Sequence, residues 1–143
     1  MSPNLRHIGI VTNNLENSLK FYRDILGFKV ITEVFEDRNF IDKILNLKDS
    51  SLKTIKLSDN DGGIIELLCY NNPKSKPIER RINDIGLSHF ALTVDNLENV
   101  YQQFKKRGVI FISEPTISPD KKAKVCFCYD PNGIVIELVE QLL

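Results

Sequence analysis

The feature that most constrains this chain is that it carries its own pattern twice. Residues 6–22 read Arg-His-Ile-Gly-Ile-Val-Thr-Asn-Asn-Leu-Glu-Asn-Ser-Leu-Lys-Phe-Tyr. Residues 88–104 read Ser-His-Phe-Ala-Leu-Thr-Val-Asp-Asn-Leu-Glu-Asn-Val-Tyr-Gln-Gln-Phe. His7 aligns with His89, and Asn14-Leu15-Glu16-Asn17 recurs unchanged as Asn96-Leu97-Glu98-Asn99 at the same offset of 82. A chain of 143 residues built this way is one small domain made of two similar modules.

Each copy opens on period-two alternation, the signature of a strand. His7, Gly9 and Val11 share one face, as do His89, Ala91 and Thr93. A helix follows in both. Asn13 with Glu16, and Asp95 with Glu98, have the spacing of a capping box. Leu15, Leu19, Tyr22 and Leu26 form a helical stripe matched by Leu97, Tyr101 and Phe104. Gly27 and Gly108 stand where a left-handed helix end belongs. Strands are then expected at 28–35, 52–58 and 63–70, and at 109–113, 123–129 and 134–140. Asp59-Asn60-Asp61-Gly62 and Asp130-Pro131-Asn132-Gly133 are turns that need a positive φ at their glycines.

From those glycines the register repeats as Gly62-x-x-x-Glu66 and Gly133-x-x-x-Glu137, at an offset of 71. The first copy therefore holds 11 extra residues, assigned to a loop or short helix within Glu36–Ser51. The expected architecture is α+β: two paired βαβββ modules forming a cupped mixed sheet with helices outside. The modules span 1–70 and 88–143, joined by a linker at 71–87 rich in Asn, Pro, Lys and Arg.

Charge and cysteine content narrow the function. Nineteen basic and nineteen acidic residues give no net charge, which disfavours nucleic acid as a partner. Apolar runs are strand-sized, far below the ~20 residues that cross a bilayer, and Met1-Ser2-Pro3-Asn4 does not resemble a signal peptide. Three cysteines leave one unpaired in any disulfide scheme, so a reducing, cytoplasmic setting is expected. Cys126 and Cys128 share a strand face. A Cys-x-Cys metal clip was weighed against two ordinary small core residues, and the second reading prevails.

The repeated polar residues carry the chemistry. Glu66 sits in Ile64-Ile65-Glu66-Leu67-Leu68, and Glu137 in Val135-Ile136-Glu137-Leu138-Val139. A carboxylate buried alone between aliphatic neighbours costs several kcal/mol, so each needs a partner. His7 and His89 are the chain's two histidines, and they are repeated too. One strand histidine or one strand glutamate is usually unremarkable, a satisfied core residue or a solvent-facing one. Two such pairs in matched registers point to a metal site. His7, Glu66, His89 and Glu137 supply two imidazoles and two carboxylates for one divalent ion, with about two octahedral positions left for a small substrate. This donor set does not separate Ni, Zn, Co, Mn and Fe. No organic cofactor is expected.

At these residues the chain resembles the vicinal oxygen chelate superfamily, which includes glyoxalase I, methylmalonyl-CoA epimerase, bleomycin-binding proteins and extradiol dioxygenases. The similar segments are His7-Ile8-Gly9-Ile10, Phe21-Tyr22-x-x-x-Leu26-Gly27-Phe28, Ile65-Glu66-Leu67, Ser88-His89-Phe90-Ala91 and Asp130-Pro131-x-Gly133-x-x-x-Glu137-Leu138. The resemblance implies a cupped sheet around a metal, often within a homodimer, and puts the four residues on the ligand positions of the glyoxalase I-like branch. It further implies a lyase or isomerase that removes a proton beside a metal-bound carbonyl or hydroxyl. Glu137 is then the first candidate for the base and Glu66 the second. An epimerase, a metal-dependent dioxygenase and a non-catalytic small-molecule binding protein follow as alternatives. No arginine near Val11 is available for a glutathione carboxylate, so the resemblance carries over neither the substrate nor glutathione dependence.

Overall fold

The computed structural model describes all residues, Met1–Leu143, in two compact units, Met1–Pro77 and Ile78–Leu143. In the first unit, β1 (Ile8–Val11) leads to α1 (Leu15–Leu19), which continues as a wider π-helical turn over Lys20–Ile25. Then follow β2 (Lys29–Phe35), α2 (Arg38–Leu45), β3 (Ser51–Ser58) and β4 (Ile64–Asn72). The second unit runs β5 (His89–Thr93), α3 (Leu97–Lys106), β6 (Thr116–Ile117), β7 (Ala123–Tyr129) and β8 (Val135–Gln141). Each unit holds a four-stranded mixed sheet, ordered β1-β4-β3-β2 and β5-β8-β7-β6. The first strand lies parallel to the last, and the remaining pairs are antiparallel. The fold is α+β, as the repeat implies.

The turns before β4 and β8 set the register of both closing strands. Asp59 accepts hydrogen bonds from the backbone of Asp61 (2.8 Å) and Gly63 (2.7 Å). Asp130 does the same for Asn132 (2.7 Å) and Ile134 (2.9 Å). Gly62 and Gly133 then turn the chain at φ of 91° and 84°, a conformation that only glycine adopts cheaply.

One face of each sheet is apolar and covered. Ile65 and Leu67 of β4 meet Leu57 and Ile55 of β3 in register, and all four are almost completely buried. In the second unit Ile136, Leu138, Cys126 and Cys128 are the counterparts. Strand alternation leaves Glu66 and Glu137 on the opposite face.

Three expectations are corrected in detail. The helix caps fall one residue later than the capping boxes place them. Thr12 and Val94 still donate to Leu68 (2.9 Å) and Val139 (2.8 Å) on the closing strands, so the chain bends away from the sheet only at Asn13 and Asp95. Asn14 and Asn96 therefore cap, accepting from Asn17 and Asn99 at 3.0 Å each. The stripe Leu15, Leu19, Tyr22, Leu26 is replaced by a buried face of Ser18, Phe21 and Tyr22. The reason is the wide turn, in which Leu26 donates to Phe21 five residues back (2.9 Å) and two adjacent rings are buried edge to face. The strand expected at 109–113 is reduced to a bridge from Phe111 to Cys128, and the regular pairing moves to β6. There the Ser113 hydroxyl, not a backbone carbonyl, accepts from Phe127 (3.1 Å), and Pro115 has no N–H to offer a ladder. The extra residues of the first copy form α2, capped by Asp37 and ended by Asn46 at φ 53°.

The two helices are anchored differently. Ser18 donates to Thr12 (2.8 Å) in a buried pair of hydroxyls, whereas Glu140 of β8 accepts from the Leu97 backbone (2.8 Å) at the start of α3. No helix is long and apolar enough to cross a membrane.

Truncating Leu67 or Ile136 to alanine is expected to cost about 2–5 kcal/mol in urea unfolding, because each is fully enclosed and leaves a cavity. Burial pushes the Cys126 and Cys128 thiols up from 9.0 to about 11 and about 12. The folded state thus keeps protons that the unfolded chain loses above about pH 9, so stability is intact below that pH and falls between about pH 9 and 12. Denaturation midpoints across that range check the sign. A thiol-reactive dye at pH 8 is expected to label Cys69 before either of the others.

Candidate functional site

The open face of the first unit is built by one register. Gly9 of β1 lies beside Glu66 of β4, and Lys56 of β3 lies on its other side. His7 is two residues before Gly9 and returns to the same face. With no side chain at Gly9, the imidazole reaches across, and His7 Nε2 stands 3.7 Å from Glu66 Oε1. The second unit repeats the device. Ala91 lies beside Glu137, and His89 Nε2 stands 3.1 Å from Glu137 Oε2.

The His89 ring is fixed from two further sides. The Ser88 hydroxyl is 2.9 Å from Nδ1, and Phe127 meets the ring edge to face at 5.2 Å between centroids. With Nδ1 engaged by Ser88, Nε2 is the nitrogen turned toward the carboxylate. Neither pair is deeply buried: the His and Glu side chains are 29% and 17% exposed in the first unit, 34% and 24% in the second. Pairs this accessible are worth about 0–1 kcal/mol, so stability does not account for their repetition.

All four sequence-derived residues thus come together as two His–Glu pairs, one in each unit. No group of three or more His, Cys, Asp or Glu side chains is gathered in metal-holding geometry. Cys126 and Cys128 lie buried on the covered face, away from Glu137, which removes the Cys-x-Cys clip.

Lys56 escaped the sequence reading. Its Nζ stands 3.8 Å from Glu66 Oε2. The signal was present: Ile55-Lys56-Leu57 places a charge between two buried aliphatics, as Ile65-Glu66-Leu67 does. The glutamate stands out because it repeats. The lysine does not, because Phe127 holds the equivalent place opposite Glu137. A cleft of about 380 Å³ in the first unit, with Phe35, Lys53 and Cys69 in its lining, includes neither His7 nor Glu66. Those three residues register on the other side of the sheet, with Ile55 and Leu67.

Fold and motif together define the class. The chain belongs to the Glyoxalase/Bleomycin resistance protein/Dioxygenase superfamily, whose sequence model matches residues 4–138. Among its relatives, the uncharacterized protein YwkD of Bacillus subtilis is 30% identical over 138 residues, with 96% of each chain covered. The lactoylglutathione lyase of Schizosaccharomyces pombe is 32% identical over 146 residues. That match takes in 96% of this chain and 47% of the enzyme, so the chain spans about half of that relative's length. The crystal structure of a glyoxalase family protein from Bacillus cereus matches with a TM-score of 0.89 at 20% identity, covering 100% of this chain and 99% of that one. At that identity the likeness concerns the fold.

Replacing His89, Glu137 or both with alanine is expected to change unfolding free energy by less than about 1 kcal/mol. A double-mutant cycle read by chemical denaturation checks this, and a coupling of several kcal/mol would instead make the pair a structural one.

Proposed function

We propose that His7, Glu66, His89 and Glu137 together hold one divalent metal ion, and that the chain is a lyase or isomerase of the glyoxalase I type. The observation that carries this reading is the recurrence of one His–Glu pair at one strand register, on the open face of both units. The two pairs are taken to meet within one chain or across a homodimer. Two neutral imidazoles and two carboxylates offset the charge of a dication, and partly exposed donors leave a substrate access to it. The Ser88 contact supports His89 as a single-nitrogen ligand through Nε2. Three free thiols agree with a cytoplasmic location.

Bound there, the metal would act as a Lewis acid, offsetting negative charge on a substrate oxygen as the neighbouring carbon loses its proton. The remaining roles fall to the chain. Glu137 is the base that takes the proton and returns it. Glu66 lies between His7 and Lys56 on the open face of its sheet. Phe127 walls the His89 side with apolar surface and limits water there. Return of the proton to the adjacent carbon gives a glyoxalase-type isomerisation, and return to the opposite face of the same carbon gives an epimerisation. The epimerisation reading is kept because mouse methylmalonyl-CoA epimerase is also among the relatives, 23% identical over 137 residues.

Elemental analysis of protein purified without chelator is expected to find one divalent metal per set of four ligands. Reconstituted protein is to be assayed on the hemithioacetal of methylglyoxal with glutathione and on a 2-substituted malonyl thioester. Glu137→Gln is expected to lower kcat on the active substrate by about 10²–10⁴-fold, with metal content kept within a factor of about two. Full activity in that variant, or a wild-type chain that takes up no metal, would sink the assignment.

A further inference from the structure

The duplicated units keep the same His and Glu but differ in what stands next to them. Lys56 on β3 and Phe127 on β7 occupy the same place, each directly across from the glutamate of its unit. The second unit builds the same strand pair with an aromatic ring there, so the fold does not require a cation at this register. Nor does the glutamate require one, since Glu137 stands without it.

The Lys56 ammonium is not saturated by what surrounds it. Its 3.8 Å approach to Glu66 is an ion pair longer than a hydrogen bond, and an ammonium offers three donors. The side chain is 32% exposed on the open face, within reach of a ligand. Its registered neighbour on β2 is Thr32, which adds no charge to compete.

We propose that Lys56 is a specificity-determining residue that receives a carboxylate carried by the substrate, on or next to the carbon that loses its proton. This rests on the metal reading above and names the substrate class for it: a small acid, charged on its reacting fragment. The placement follows from distance. An anion on Lys56 Nζ lies close to whatever is bound beside Glu66, which excludes a carboxylate at the far end of a long carrier. The arrangement is lopsided, with a cation in one unit and an apolar ring in the other.

The test compares two chelating probes, glycolate and tartronate. Both offer a hydroxyl and a carboxylate to a metal, and tartronate carries a second carboxylate on the same carbon. Calorimetry is run on the full chain loaded with Zn²⁺, Ni²⁺ or Mn²⁺ in turn, with metal content measured for every variant. Wild type is expected to prefer tartronate. Lys56→Met is expected to weaken tartronate about tenfold while leaving glycolate and metal content unchanged, and Lys56→Arg to keep most of the preference. Circular dichroism checks folding, and Lys56→Gln repeats the comparison where methionine disturbs it.

The proposal is overturned by a wild type with no preference for tartronate, or by a preference that survives loss of the lysine. Equal weakening of both probes, or loss of metal, also overturns it, because Lys56 would then act only through Glu66. Failure of the wild type to take up any metal removes the parent reading as well. The two failures are therefore told apart by the metal analysis.

Discussion

The parallel pairing of each unit's first strand with its last is the constraint on which the rest depends. A parallel pair cannot be closed by a tight turn, so a helix and two more strands must intervene as the crossover. That path brings the start of each unit beside its end and sets Gly9 against Glu66, and Ala91 against Glu137. The histidines reach the glutamates through this register, and Ser88 and Phe127 then fix the His89 ring. A slip by one residue would turn each glutamate into the apolar core and the leucines next to it outward, so the hydrophobic face enforces the chemistry of the other face.

The covered face provides the stiffness this requires. Tyr22, Leu57 and Leu67 in one unit, and Leu97, Ile136 and Leu138 in the other, are completely enclosed. The π-helical turn contributes Phe21 and Tyr22, both buried, with their rings edge to face at 4.9 Å. The polar face, in contrast, is left half open. Its ionic contacts are too accessible to contribute much to folding, and that separation frees the residues on it to be chosen for binding.

Much of this was legible in the sequence because it was written twice. The repeat marked a strand followed by a helix in each copy, and the paired Asp-x-x-Gly turns fixed the starts of the last strands to within a residue. The four polar residues stood out because the same types recur at the same register. What was hidden lay where one copy differs from the other or where the local rule is irregular. A lysine replaced by phenylalanine has no echo to flag it, although its aliphatic neighbours carried the same hint as those of Glu66. The wide turn at Lys20–Ile25 has no periodic signature in the sequence. The strand expected at 109–113 lost its ladder to a serine side chain and a proline just beyond. The caps were misplaced by one because two candidate residues, Asn13 and Asn14, stand together. Only the continued pairing of Thr12 with β4 decides between them.

The bond from Glu140 to the first turn of α3 makes β8 serve two masters. Two residues separate it from Glu137 along an extended strand, and the other end of the bond is the opening of a helix more than forty positions earlier in the chain. In the first unit Ser18 of the helix bonds Thr12, whose own backbone N–H donates to Leu68 of β4. In the second, the closing strand carries the carboxylate of the His–Glu pair on one face and the seat of the helix on the other.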